Sequence, residues 1–305
     1  MSFVNCVIKQ NKILMEGALG ERLKREYHLH FDNDVAMARL IYTPKGCSAL
    51  KKIWLEYIEI ARKYNLPFIA TTPTRRANKE RVARANYDAS IIADNVSFLK
   101  NIQNKSKIEM YVGGLMGCKG DAYTGEGALT ETEAKFFHTW QADLFCKAGV
   151  DFLYAGIMPT LPEAAGMAQA MEGTGLPYII SFTIQKDGRL IDGTTISDAI
   201  AYIDGSTQNH PVCYMANCVH PCIVGQALAM PFNKNDLVHR RFLGVQANTS
   251  PLSFAELDGS VDLKCSPPEK FAEEMIELRN KSNIKIMGGC CGTDSRHMEE
   301  VARRL

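Results

Sequence analysis

Ile284-Lys285-Ile286-Met287-Gly288-Gly289-Cys290-Cys291-Gly292-Thr293 is a short apolar run that ends in two glycines, two adjacent cysteines and a third glycine. Its length and flanks are those of a buried strand. Working back along the chain, the same pattern recurs at 242–246, 212–216, 178–182, 151–155, 109–113, 68–71 and 13–16, with Gly, Pro and Asn on the flanks. Between these runs the apolar spacing turns helical. Ile53, Tyr57, Ile60 and Ala61 mark one helix over 49–64, and Thr130 with Glu133 predicts a capping box opening another over 131–148. A third covers 271–278. The last starts near Thr293 or Asp294 and runs to Leu305, with Met298, Val301 and Ala302 on one face. Eight strands (284–288 being the last) alternating with helices predict a (β/α)8 TIM barrel, one domain over 1–305. An open doubly wound sheet is the alternative. The strand count favours closure, and no GxGxxG phosphate loop opens the first unit.

Composition narrows the class. The chain has 305 residues, 46% hydrophobic and 23% charged, as in a globular protein. A net charge of +1 gives no general reason to expect nucleic acid or an anionic membrane as partner. No run of about twenty apolar residues marks a membrane span. The first twelve residues lack an apolar signal core, so a cytoplasmic location is expected. Self-association into a homo-oligomer is left open. Ten cysteines in so long a chain are too sparse for a disulfide scaffold. Cys6, Cys47, Cys118, Cys146, Cys213, Cys222 and Cys265 read as ordinary reduced thiols.

Cys218, Cys290 and Cys291 stand apart. Cys218 follows the run Val212-Cys213-Tyr214-Met215-Ala216-Asn217, so all three thiols are expected just past strand ends. In a barrel, strands six and eight have one neighbour between them, and their ends lie about 10 Å apart on the same rim. Cysteines from both can reach one zinc ion at about 2.3 Å per bond, leaving a fourth position open. Zinc drives a bound thiol to its thiolate, which points to chemistry on a sulfur nucleophile. A Cys-Cys pair alone is more often structural; its pairing with Cys218 at another strand end changes that reading. A disulfide between the adjacent Cys290 and Cys291 would be strained. Gly288 and Gly289 remove bulk before the ligands, and Gly292 permits a sharp turn after them. Asn217 is a candidate donor to sulfur or backbone.

Gly288 to Thr293, with Ala216-Asn217-Cys218-Val219-His220-Pro221 upstream, resembles the homocysteine S-methyltransferase family, and the resemblance runs almost the whole chain. Met15-Glu16-Gly17-Ala18-Leu19-Gly20 resembles the family's opening Asp-Gly turn. Phe137-His138 through Gln141, with Ala148-Gly149-Val150-Asp151, resembles its middle helix and fourth strand. Ser181-Phe182-Thr183 and Gly188-Arg189-Leu190 through Gly193-Thr194 resemble its fifth unit. The resemblance implies a (β/α)8 barrel, Zn2+ held by Cys218, Cys290 and Cys291, and a pocket that includes Glu16, Gly17, Thr72, Asn217 and Gly289. It implies transfer of a methyl group to a small thiol, homocysteine, giving methionine. The donor would be a small sulfonium or a quaternary amine. Two alternatives are a different thiol on the same scaffold and a zinc- or thiol-binding protein without transferase activity.

The chain also departs from the family pattern. Gly156, in Ala155-Gly156-Ile157-Met158-Pro159, stands where the family has a glutamate that helps hold the amino group of homocysteine. Glu16 replaces an aspartate and is one methylene longer; it either replaces that carboxylate in part or only orients a loop. Thr71-Thr72-Pro73-Thr74 departs from Thr-Asn-Thr, and Pro73 removes a backbone donor. Arg75, Arg76, Lys79, Arg81 and Arg84 read as a solvated face unless the rim receives them. His220 is expected outside the ligand set, since a fourth protein ligand would close the site. His138 is expected in surface or core packing. The loops 117–130 and 247–268 are expected to rise from the catalytic face, with Tyr123 and Glu126 as candidate covers for the donor.

Overall fold

Eight parallel strands close into a ring in the computed structural model, which describes residues 1–251 and 265–305. They are β1 Ile13–Met15, β2 Phe68–Thr71, β3 Met110–Gly117, β4 Phe152–Met158, β5 Tyr178–Phe182, β6 Cys213–Val219, β7 Phe242–Ala247 and β8 Ile286–Gly289. Each pairs with its sequence neighbour, and β1 pairs with β8 to complete the barrel. The (β/α)8 expectation holds, and every predicted strand is present.

Burial follows from alternation along the strands. Ile13, Met15, Ile69, Phe152, Tyr154, Ile179, Met215 and Ile286 fill one cluster, while a second and third cluster pack the outer strand faces against the helices. The helix Phe3–Lys9 supplies Phe3, whose ring stacks on Phe152 at 4.0 Å between centroids and closes one end of the barrel. The helix Glu131–Ala148 opens with the predicted Thr130–Glu133 capping box. Helices at Pro44–Lys63, Pro268–Lys281 and Ser295–Arg304 cover the other predicted segments.

Three strands run three or four residues further than the sequence suggests, where β7 and β8 gain only one. β3, β4 and β6 continue to Gly117, Met158 and Val219. Cys218 therefore lies inside the last turn of pleat of β6 rather than past it, and only Cys290 and Cys291 follow their strand. The extensions of β4 and β6 are irregular: the register shifts between Ala155 and Met158, and again between Asn217 and Val219. Inside each shift sits a non-glycine residue in the left-handed region, Ile157 at φ 62° and Cys218 at φ 53°. Such bulges re-aim side chains. In a regular strand, successive side chains point to opposite faces. Here the neighbours Asn217 and Cys218 line one cavity, as do Gly156 and Ile157. Each left-handed residue costs about 1–3 kcal/mol, which the surrounding barrel has to offset.

Candidate metal centre and substrate cavity

A cavity of about 410 Å³ opens at the C-terminal ends of the strands. The eight residues expected to hold metal or substrate all line it: Glu16, Gly17, Thr72, Asn217, Cys218, Gly289, Cys290 and Cys291. The sulfurs of Cys218, Cys290 and Cys291 lie within 4.8 Å of one another. In this structure Cys218 and Cys290 are joined by a disulfide across β6 and β8, with Cα atoms 5.5 Å apart, and Cys291 is free. The sequence reading had three free thiols here; the structure joins two of them, and the pair joined is not the adjacent one. The other seven cysteines are free, as expected.

The turn that carries Cys290 and Cys291 is tied down on both sides. Cys290 N donates to Ala247 O at 2.7 Å, and Cys291 O accepts from Thr249 N at 3.2 Å. Thr293 Oγ1 donates to Cys290 O at 2.7 Å and accepts from Ala18 N at 2.9 Å. Gly292 sits at φ 84°, where a side chain would also strike Thr249. Burial pushes the Cys291 thiol up to about 11, with Glu21 adding to the shift and Arg75 opposing it.

Asn217 does not contact sulfur. Its Nδ2 donates to Gln246 Oε1 at 2.6 Å, and its Oδ1 accepts from Ile157 N at 3.2 Å. The Tyr154 hydroxyl lies 3.0 Å from Asn217 Oδ1 and 2.9 Å from Gln246 Oε1. Asn217 therefore braces the two bulges against each other. On the opposite flank of the rim, Asn248 Nδ2 donates to Cys218 O at 2.7 Å.

Glu16 follows β1 and is buried. Its Oε1 accepts from Thr71 N at 2.9 Å and Thr71 Oγ1 at 2.6 Å, and its Oε2 accepts from Trp54 Nε1 at 2.6 Å. Burial pushes the carboxyl up to about 7, against the pull of these bonds. Thr72 Oγ1 lies 2.7 Å from Thr74 Oγ1 and accepts from Leu115 N at 3.1 Å. Gly156 lines the cavity; a Cβ there would lie 2.7 Å from Leu115 Cδ1, the end of a flexible side chain that would have to turn aside.

The basic cluster divides. Arg75 and Arg76 line the cavity, so they are not simply a solvated face. Neither has an ion-pair partner among the described residues. Arg76 is held below its ordinary value by burial, with Arg75 beside it. Arg84 instead pairs with Asp34 at 2.8 Å. Tyr123 also lines the cavity, from the loop after β3, and Glu126 does not. Residues 252–264 of the second expected loop lie outside the described residues. His138 is in the core against Glu163, at 3.1 Å. His220 caps the helix Pro221–Ala229 and does not line the cavity. The sequence reading missed Tyr154 and Gln246, whose polar groups interrupt otherwise apolar strands; that interruption was the available signal.

Comparison with known proteins agrees with this frame. Solved structures of the homocysteine methyltransferase MmuM from Escherichia coli, in oxidized and metallated forms, superpose with TM-scores of 0.78 and 0.75. Each covers 98% of both chains at 18% identity, a likeness of fold. Betaine–homocysteine S-methyltransferase 1 from Bos taurus is 25% identical over 193 residues, 58% of this chain and 45% of the relative. Homocysteine S-methyltransferase YbgG from Bacillus subtilis is 24% identical over 184 residues, 60% of this chain and 56% of the relative. The matches thus span about half the length of these curated relatives. The family model for homocysteine S-methyltransferase matches residues 13–305, and the chain belongs to that family.

Proposed function

We propose that the chain is a zinc-dependent S-methyltransferase that takes a thiol, homocysteine, and methylates it to methionine from a small sulfonium or quaternary-amine donor. The observation that supports this most directly is the convergence of three cysteine sulfurs within 4.8 Å on the cavity wall. Three soft donors from two strand ends fit a tetrahedral zinc site with one position for substrate. The disulfide between Cys218 and Cys290 has to be reduced, by two electrons from a thiol reductant, before all three serve as ligands.

When bound, zinc supplies the substrate thiol as a thiolate at neutral pH. In the transfer, the thiolate sulfur forms a bond to the methyl carbon. The donor leaves with the electron pair of its carbon–sulfur or carbon–nitrogen bond, as a neutral sulfide or amine. The thiol proton goes to solvent. The chain's own part is to hold the two reactants in line. The bulge at Cys218 and the tethered Cys290–Cys291 turn fix the sulfur end. Arg75 and Arg76 offer a cationic seat for a carboxylate on the donor, and Tyr123 lines the same cavity.

One observation favours a different thiol as the second reading. Gly156 carries no carboxylate, and both oxygens of Glu16 already accept hydrogen bonds. The other carboxylate on the cavity wall, Glu21, accepts from Gly292 N at 3.0 Å, so the ammonium of homocysteine would share a group already engaged. The deciding experiment is zinc content and methyl transfer in the reduced protein, across thiols and donors. Cys218→Ala, Cys290→Ala and Cys291→Ala should each lose most of the zinc and the activity while staying folded. A zinc-replete, fully active Cys291→Ala protein would overturn the proposal.

A further inference from the structure

Behind the rim, a second set of donor atoms comes together where the helix Pro221–Ala229 packs against the helix Pro268–Lys281. His220, Cys222 and Glu274 each place one ligand atom there, all within 4.8 Å of one another. None of the three lines the cavity. His220 Nε2 and Glu274 Oε2 lie 3.1 Å apart, yet they share no hydrogen bond. Both atoms are enclosed, and neither has a hydrogen-bond partner among the described residues. Buried polar atoms are nearly always hydrogen-bonded, so two that face each other at ion-pair distance without a hydrogen bond need an account. A cation shared between them supplies one. The Cys222 thiol, against the same carboxyl, completes the set.

We propose that His220 Nε2, Cys222 Sγ and a Glu274 carboxylate oxygen form a second zinc site, distinct from the three-cysteine cluster. One nitrogen, one sulfur and one oxygen suit Zn2+ with a water in the fourth position, whereas Mg2+ and Ca2+ call for oxygen donors throughout. A neutral imidazole, a thiolate and a carboxylate balance the charge of a divalent ion. Binding at Nε2 puts the ring proton on Nδ1. That gives up the contact from Cys222 N to Nδ1, which at 3.4 Å is longer than ordinary hydrogen bonds. Cys222 loses its proton to solvent on binding.

The position gives the site a use. The helix Pro221–Ala229 begins three residues after Cys218, and the helix Pro268–Lys281 leads into β8 and then Cys290. An ion held by both helices would clamp the two chain segments that deliver the catalytic-rim sulfurs. The proposal goes beyond the methyltransferase reading and does not depend on it.

The test is metal titration of the reduced, chelator-stripped protein with Zn2+ and, separately, Co2+. Bound metal per chain is measured after gel filtration, and Co2+–thiolate absorption and the melting temperature are followed in parallel. Wild type should take up about two equivalents, the second raising the melting temperature as a native-state ligand does. Cys222→Ser and Glu274→Gln should each weaken one equivalent about tenfold or more and leave the other in place. Cys218→Ala should show the converse, keeping the equivalent that depends on Cys222. A wild-type protein that binds one equivalent, unchanged by Cys222→Ser and Glu274→Gln, overturns the second site. A protein whose one equivalent is lost with Cys222→Ser but indifferent to Cys218→Ala supports it and overturns the three-cysteine centre instead.

Discussion

Replacing Asn217 with alanine should damage both the stability of the barrel and the metal centre. Asn217 Oδ1 accepts from the Ile157 amide at 3.2 Å, and Nδ2 donates to Gln246 Oε1 at 2.6 Å, all in a buried network. The substitution strands the Ile157 N–H without an acceptor, which costs about 1–3 kcal/mol. Gln246 Oε1 keeps the Tyr154 hydroxyl at 2.9 Å, so losing its second donor adds only about 0.5–1 kcal/mol. The expected total is about 1.5–4 kcal/mol, read as a shift in the urea midpoint under reducing conditions at unchanged slope. Cys218 is the next residue and sits at φ 53° in the bulge that this network braces. Zinc affinity, measured by competition with a chromogenic chelator, should fall about tenfold or more. A protein within about 0.5 kcal/mol of wild type, with unaltered zinc affinity, would refute the bracing role.

Three further outcomes can be checked. Glu16 has its carboxyl raised from 4.5 to about 7, so the folded state holds this proton more tightly than the unfolded chain does. Its stabilising contribution is full below about pH 4.5 and is lost as pH rises to about 7, by up to about 3 kcal/mol. Denaturant midpoints of wild type should decline over that window relative to Glu16→Gln, and a flat difference would count against the raised carboxyl. Arg75→Ala and Arg76→Ala should each raise KM for a carboxylate-bearing donor about tenfold or more, with kcat less affected; unchanged KM in both removes the anion seat. Gly156→Glu should turn the end of Leu115 aside and strengthen homocysteine binding by about 1–3 kcal/mol in calorimetry; no gain, with or without Leu115→Ala, would count against an ammonium contact at this position.

The barrel was legible because its signals are local. Eight apolar runs with punctuated flanks needed only counting, and the Thr130–Glu133 cap is written in adjacent residues. The cavity residues were legible for a different reason: strand ends of a barrel share one rim, so placing Glu16, Thr72, Asn217 and the cysteines at strand ends already gathers them. What escaped depends on through-space packing. Arg75 and Arg76 looked like the start of a charged helix; only the chain path before the helix Lys79–Arg84 turns them toward the cavity. Beside Gly156 the neighbouring strand places the end of the Leu115 side chain, which β4 alone does not show. The helix Phe3–Lys9 was passed over because it is too short to display a period.

The two bulges explain why the ends of β4 and β6 read as loops in the sequence. Alternation predicts that Asn217 and Cys218 face opposite ways, so a sequence that needs both in one cavity needs an extra residue in the strand. The left-handed backbone at Cys218 provides it, and Ile157 does the same on β4. A β-branched residue at positive φ is unfavourable by itself, and it persists because its amide is held by Asn217. Asn217 is thus bonded to one strained residue and adjacent to the other. Relief of either would pull on the same amide group. The arrangement makes the position of the Cys218 sulfur a property of three strands, β4, β6 and β7, rather than of its own strand alone. A ligand set drawn from β6 and β8 is then held by a frame spanning half of the barrel, which is why damage at Asn217 should reach the metal without touching a sulfur.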